Sequence, residues 1–192
     1  QAIQAYYASI SFMDAQVGKL LDALTANKLD DNTVVVFMGD HGYELGVRGW
    51  WNKNTLFERS CRTPLIIRNP AAKGNGKTAG TITEFVDLYP TVADFCSLKL
   101  PHATAGSSLR PTLTNPSTSI KDAACTLVTR GPKLYGQSIR TARWRFTLWS
   151  DGQSELYDHD QDPEELHNIA DRQGPVVQDL TARLKSLPKL TP

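Results

Sequence analysis

The chain has 192 residues, 40% hydrophobic and 21% charged, a globular composition with enough apolar residues to bury one sizeable core or two small ones. Twenty-one basic against twenty acidic side chains leave a formal net charge of +1, which excludes a bulk electrostatic pull toward nucleic acid or an anionic membrane. The widely spaced Cys61, Cys96 and Cys125 offer neither a disulfide framework nor a CxxC zinc pair, and no apolar run approaches the roughly 20 residues of a bilayer span.

The opening residues lack the basic-then-apolar pattern of a signal peptide, and Gln1 leads straight into helical sequence, so the chain is expected to be a piece of something longer. Ile3, Tyr6, Ile10, Met13, Val17, Leu20, Leu21 and Leu24 recur at three- and four-residue steps, predicting an amphipathic helix that ends at the polar loop Asn27 to Asn32. Thr33 to Met38 is then an unbroken, β-branched apolar run, the pattern of a parallel strand buried on both faces. Helix followed by strand predicts an α/β unit.

Pro64 to Ile67 reads as a second short strand, and the stretch from Val86 as a helix starting near Asp87 with Leu88, Val92, Phe95 and Cys96 inward. Pro90 falls in its first turn, where a missing N–H costs little. The Gly- and Lys-rich loop NPAAKGNGKTAGT lies between them. KLPHATAGSSLRPTLTNPSTS, dense in Pro, Ser, Thr and Gly, is the expected boundary between an α/β part, residues 1–115, and a small C-terminal subdomain, residues 116–192. There CTLVTR, GQSIRT, RWRFTLWS and SELYDH, separated by Gly-Pro, Asp-Gly and similar turns, predict an antiparallel meander closed by a helix over Val176 to Leu187.

Asp40 and His41 stand just beyond the strand Thr33 to Met38, at the end of an α/β strand where ligands gather. Gly39 and Gly42 flank them and would let two consecutive side chains converge. A carboxylate oxygen and a neutral imidazole nitrogen are both ligands for a divalent cation, although imidazole is less usual for calcium. The competing reading makes Asp40 a helix cap and His41 a satisfied loop histidine, and spacing alone does not decide.

GDHG after an apolar strand, then LGVRGWWNKNTLFE, PLIIRNP, VDLYPTVADF, GSSLRPTL and ELYDHDQDPEELHNIA, follow one another in the order and spacing of the C-terminal half of sulfatases. Over nearly its whole length the chain resembles that family, and YGQSIRTARWRFTLW resembles its iduronate-2-sulfatase branch. The resemblance implies a sulfatase-type α/β sheet domain followed by a small antiparallel sheet with a closing helix. It implies that Asp40 and His41 are the two late metal ligands of a calcium site and that Lys53 holds the sulfate group or its bridging oxygen, where a preorganised cation stabilises growing charge. The parent enzyme would act on a sulfated sugar, use a formylglycine nucleophile, and be secreted, periplasmic or lysosomal. A phosphodiesterase or phosphonate hydrolase of the same superfamily, or a non-catalytic glycan-binding module, are the alternatives.

Trp50 and Trp51 flank Lys53 and either wall a sugar-sized pocket or simply pack. Arg48 stands where many family members have a histidine, which leaves the substrate contacts of this loop open. The formylglycine motif C/S-x-P/A-x-R is absent from these residues, and so are the early aspartates of the metal site, so the calcium site is incomplete here and its completion is expected from an N-terminal portion. Cys61, in CRTPLII, is out of register with that motif and reads as a small buried hydrophobe. DHDQDPEELH starts like an EF-hand, but Pro163 replaces the glycine and Ile169 the bidentate Glu, so turn chemistry explains its acids better. The aromatics of WRFTLW alternate at period two, as sheet core does.

Overall fold

A computed structural model describes residues 1–131 and 133–187. The expected Gly-Pro turn runs through Pro132, which lies outside the described residues.

The helical spacing folds into α1 (Ala2–Ala26), stopped at Asn27, whose backbone N–H and side-chain amide both return to the carbonyl of Ala23. Its apolar stripe is open: Tyr7, Phe12 and Leu20 are each more than half exposed. No described helix is long and apolar enough to cross a membrane.

β1 (Val35–Met38) pairs antiparallel with β2 (Leu65–Arg68), Met38 opposite Leu65 and Val35 opposite Arg68. This corrects the expectation of a parallel strand buried on both faces, for the side chains of β1 alternate half-buried and exposed. An unbroken apolar run specifies a strand, while its direction and its second face are set by neighbours that the run does not encode. Among the described residues β2 is its one strand partner.

The short helix α2 (Glu58–Cys61) precedes β2, and a 3-10 turn, Phe85–Asp87, leads into α3 (Leu88–Phe95). The inward face of α3 also differs from expectation: Asp87, Pro90, Thr91 and Ala93 are buried, whereas Val92 and Cys96 are exposed. Hydrogen bonding sets that face. The Asp87 carboxylate accepts from the N–H groups of Glu84 at 2.8 Å and Ser107 at 2.9 Å, and the Thr91 hydroxyl accepts from Leu109 N–H at 2.9 Å. The Pro- and Ser-rich stretch is thereby anchored, with Leu109 buried before the short helix α4 (Arg110–Thr114).

β3 (Ala123–Arg130), β4 (Leu134–Thr141), β5 (Trp144–Trp149) and β6 (Ser154–Asp158) form an antiparallel sheet in chain order, covered on one face by α5 (Gly174–Ser186). Ile139, Phe146, Leu156, Leu180 and Leu184 make the core between sheet and helix, edged by Trp144 and Leu148. The meander and its closing helix match the sequence reading, and the whole is a mixed α/β arrangement with antiparallel sheets. The register puts Ser138, Arg140, Arg145, Thr147 and Tyr157 on the sheet's second face, with Trp149 opposite Gly136. That second face meets the segment Leu56 to Glu58.

Candidate active site at the tip of the first strand

Beyond β1 the chain turns through Gly39 to Gly42 and is pinned to the α2 segment by Gly39 N–H to Pro64 O and Gly42 N–H to Ser60 O, at 3.1 and 2.8 Å. Neither glycine has positive φ. Gly42 is required for a different reason from the turn freedom expected of it: a Cβ there would run into the carbonyl of Arg59. Residues 43–53 then fold back on themselves through Glu44 N–H to Asn52 O and Gly46 N–H to Trp50 O, both 2.8 Å, and Tyr43 Oη to Trp51 O at 3.0 Å. This return carries Lys53 to His41.

The three expected residues converge. His41 Nδ1 lies 2.8 Å from its neighbour's carbonyl, Gly42 O, which fixes the proton on Nδ1 and leaves the lone pair on Nε2. Lys53 Nζ donates to Nε2 at 2.9 Å, and Asp40 Oδ2 stands 3.5 Å from the same nitrogen. The other Asp40 oxygen accepts its neighbour's N–H, His41 N, at 3.0 Å, so Asp40 caps no helix. The Asp40 carboxylate is 85% exposed, and Oδ2 and Nε2 open onto one space. Two donors fit a divalent cation as part of a shell, not the whole of one, since calcium takes 6–8 oxygens.

Arg48 turns inward. In a left-handed conformation, φ 55°, it pairs with the buried Glu44 at 3.1 Å, lays its guanidinium 3.8 Å from the Phe57 ring centroid and donates to the carbonyl of Glu164. Trp50 and Trp51 part company: Trp51 packs on Gly46 and is half exposed, while Trp50 lines a cavity of about 260 Å³ together with Arg130 and Trp149. Lys53 does not line that cavity.

A second ionic cluster escaped the sequence reading. Glu58, His159 and Glu165 hold ligand-type atoms within 4.8 Å of one another. Every one of them is already engaged: Arg145 bonds both carboxylates, Arg140 donates to Glu58 at 3.1 Å and to His159 Nδ1 at 2.9 Å, and His159 Nε2 donates to Glu165 at 2.8 Å. Two guanidiniums against two carboxylates leave neutral charge around a neutral imidazole, so a metal ion would have to displace both arginines. The cluster is a buried tie between Glu58 and the second face of the sheet. Burial pushes the Glu58 carboxyl up, but Arg145, aided by Arg140, outweighs it and holds the group below its ordinary value. The available signal was an arginine in the middle of an apolar alternating strand, which is rarely buried unpaired.

The EF-hand-like acids serve turns. Asp158 forms a bidentate pair with Arg143 at 2.9 and 2.7 Å, and Asp162 accepts the N–H groups of Leu166 and His167. Cys61 is partly buried, and burial pushes its thiol up, away from nucleophilic character.

The sulfatase family model matches residues 1–97. A choline-sulfatase of Rhizobium meliloti (strain 1021) is 35% identical over 180 residues, covering 91% of this chain and 34% of that protein. The chain belongs to the sulfatase family. An N-acetylglucosamine-6-O-sulfatase of Bacteroides thetaiotaomicron is 34% identical, with 88% of this sulfatase chain covered and 32% of the relative. The chain thus spans about a third of the length of these relatives. Among solved structures, a protein in complex with its substrate D-glucosamine-2-N,6-O-disulfate superposes with a TM-score of 0.80 at 32% identity, over 90% of this chain and 38% of that one. A phosphonate monoester hydrolase from Silicibacter pomeroyi superposes with 0.82 at 28% identity, over the same shares.

Proposed function

We propose that these residues form part of a sulfuric ester hydrolase acting on sulfated sugars, contributing two metal ligands and one sulfate-holding cation. The observation that supports this most is the meeting of Asp40, His41 and Lys53 at one point in a chain of the sulfatase family. Asp40 Oδ2 and His41 Nε2 would hold calcium, which when bound supplies Lewis-acid polarisation of the sulfate oxygens. Lys53 keeps an ammonium beside that position, stabilising charge that grows on the bridging oxygen as the S–O bond breaks. The Gly42 carbonyl keeps the His41 proton on Nδ1, so that the lone pair sits on Nε2, where it accepts from Lys53 and would turn to the metal.

The formylglycine nucleophile and the earlier aspartates would come from an N-terminal portion, since no C/S-x-P/A-x-R motif occurs here. In that arrangement residues 1–115 complete the main α/β domain and 116–192 form the C-terminal subdomain, in a secreted, periplasmic or lysosomal enzyme. The sugar substrate is favoured by the relative named an N-acetylglucosamine-6-O-sulfatase and by the neighbour holding a glucosamine disulfate. The β4–β5 motif still favours the iduronate-2-sulfatase branch, whereas the relatives reported above carry choline- and N-acetylglucosamine-sulfatase names. A phosphonate hydrolase is the second reading, supported by a neighbour whose fold superposes as well as that of the sugar-bound protein.

Side-by-side turnover of N-acetylglucosamine 6-sulfate and of a phosphonate monoester by the enzyme containing these residues separates the two readings. The sulfate ester is expected to be the faster substrate, and faster phosphonate turnover would reverse the assignment. The purified 192-residue chain alone is expected to hydrolyse neither.

A further inference from the structure

The cavity behind Trp50 lies outside the cluster of Asp40, His41 and Lys53, and its chemistry is specific. Arg130, the last residue of β3, places its guanidinium carbon 5.1 Å from the Trp50 ring centroid and 4.9 Å from that of Trp149. Two indoles thus position one cation by cation–π contact. Among the described residues no carboxylate pairs with Arg130, and its side chain makes no hydrogen bond there, so its N–H edge is free. A guanidinium edge suits a carboxylate or sulfate bidentately.

The acids around the cavity are differently placed. Glu155 accepts from Trp149 Nε1 and Tyr157 Oη, both at 2.8 Å, while Asp151 accepts from Gln153 N and Nε2 at 3.0 and 3.2 Å. Their remaining lone pairs can accept from hydroxyl groups, and their charges would repel a multiply charged anion. At about 260 Å³ the space falls just below the ~300–1,000 Å³ of sites for drug-sized ligands, so it suits one sugar ring. One cation with a free edge, acceptors for hydroxyls and aromatic walls together select a polyol with one anionic substituent.

We propose that Trp50, Arg130 and Trp149 form a second saccharide site, which takes a sugar ring bearing one sulfate or carboxylate and pairs that group with Arg130. This rests on the reading of the chain as part of a sulfated-sugar hydrolase. It extends that reading to a neighbouring ring of the same substrate, held apart from the bond that is cleaved. Trp149 is fixed for the role: it lies over Gly136, where a Cβ would come within 2.8 Å of the indole.

Two of the four tryptophans line the cavity, so the 192-residue chain reports on it by intrinsic fluorescence. Titration with glucosamine 6-sulfate and with glucuronate is expected to quench saturably with at least one of them, and the better ligand identifies the preferred anion. Arg130→Ala is expected to weaken that binding roughly tenfold or more, in line with a charge-assisted bidentate contact. Lys53→Ala and added EDTA are expected to leave it unchanged, which keeps this test independent of the metal and sulfate site. Equal quenching by uncharged N-acetylglucosamine, unaltered binding in Arg130→Ala, or loss of binding in Lys53→Ala alone would overturn the proposal. So would an absence of saturable quenching by either anionic sugar while circular dichroism shows the chain folded.

Discussion

Arg145 is the side chain on which the second face of the sheet is tied to the α2 segment, and it is 3% exposed between Glu58 and Glu165. Removing one partner of a buried ion pair leaves a charge without compensation, a loss of roughly 3–5 kcal/mol. Arg145→Met should lower the stability measured by urea unfolding by about that much. A change below about 1 kcal/mol would show the cluster to be ornamental. The same residues set an acid limit. Because the folded-state pKa of Glu58 lies below its ordinary 4.5, its contribution is complete above that pH and disappears as the pH falls through the depressed value. Urea midpoints taken below pH 4.5 should therefore fall more steeply for the native chain than for Glu58→Gln. Asp160→Asn, at a carboxylate 62% exposed, should stay within about 0.5 kcal/mol of the native chain. Asp40, His41 and Lys53 were picked out by the resemblance to sulfatases, spacing alone leaving Asp40 and His41 undecided, and their meeting takes only a local return of the chain over twelve positions. The Glu58–Glu165 tie was not, because its members are up to 107 positions apart and their pairing is decided by sheet register.

At the scale of elements, the loop from Gly39 to Lys53 works only if its backbone lies directly against residues 59–62. Gly42→Ala should push that contact apart and displace His41, whereas Gly39→Ala meets nothing closer than Thr63 Cβ at 3.3 Å. The first is expected to cost about 1–3 kcal/mol or more, as overpacking does, and the second less; equal thermal midpoints for the two would contradict this. The meander could be read from its period-two alternation and its Asp-Gly turn, where Gly152 takes a φ of 91°. The direction of β1 and the inner face of α3 could not. One depends on a strand partner, the other on Asp87 and Thr91, polar residues that an apolar count overlooks. The open stripe of α1, with Val36, Met38 and Ile66 exposed on the small sheet, gives the isolated chain a large apolar surface. Light scattering should find it self-associated, and a monodisperse monomer at micromolar concentration would count against that surface being sticky.

For the molecule as a whole, β1, the α2 segment and the returning loop hold one carboxylate, one imidazole and one ammonium at the tip of a strand in a chain of the sulfatase family. The roles proposed for them separate in one comparison, made in the enzyme that contains these residues: calcium content and sulfate-ester turnover in Asp40→Asn beside Lys53→Ala. Loss of a ligand charge should lower calcium affinity by more than the roughly 10–100-fold seen when only an outer partner of a ligand is removed, and turnover should fall with it. Lys53→Ala should keep its calcium and lose roughly 10²–10³-fold in kcat, the scale of a lost oxyanion donor. Full calcium occupancy and native turnover in Asp40→Asn would contradict the account and leave the acid at the strand tip as a turn residue.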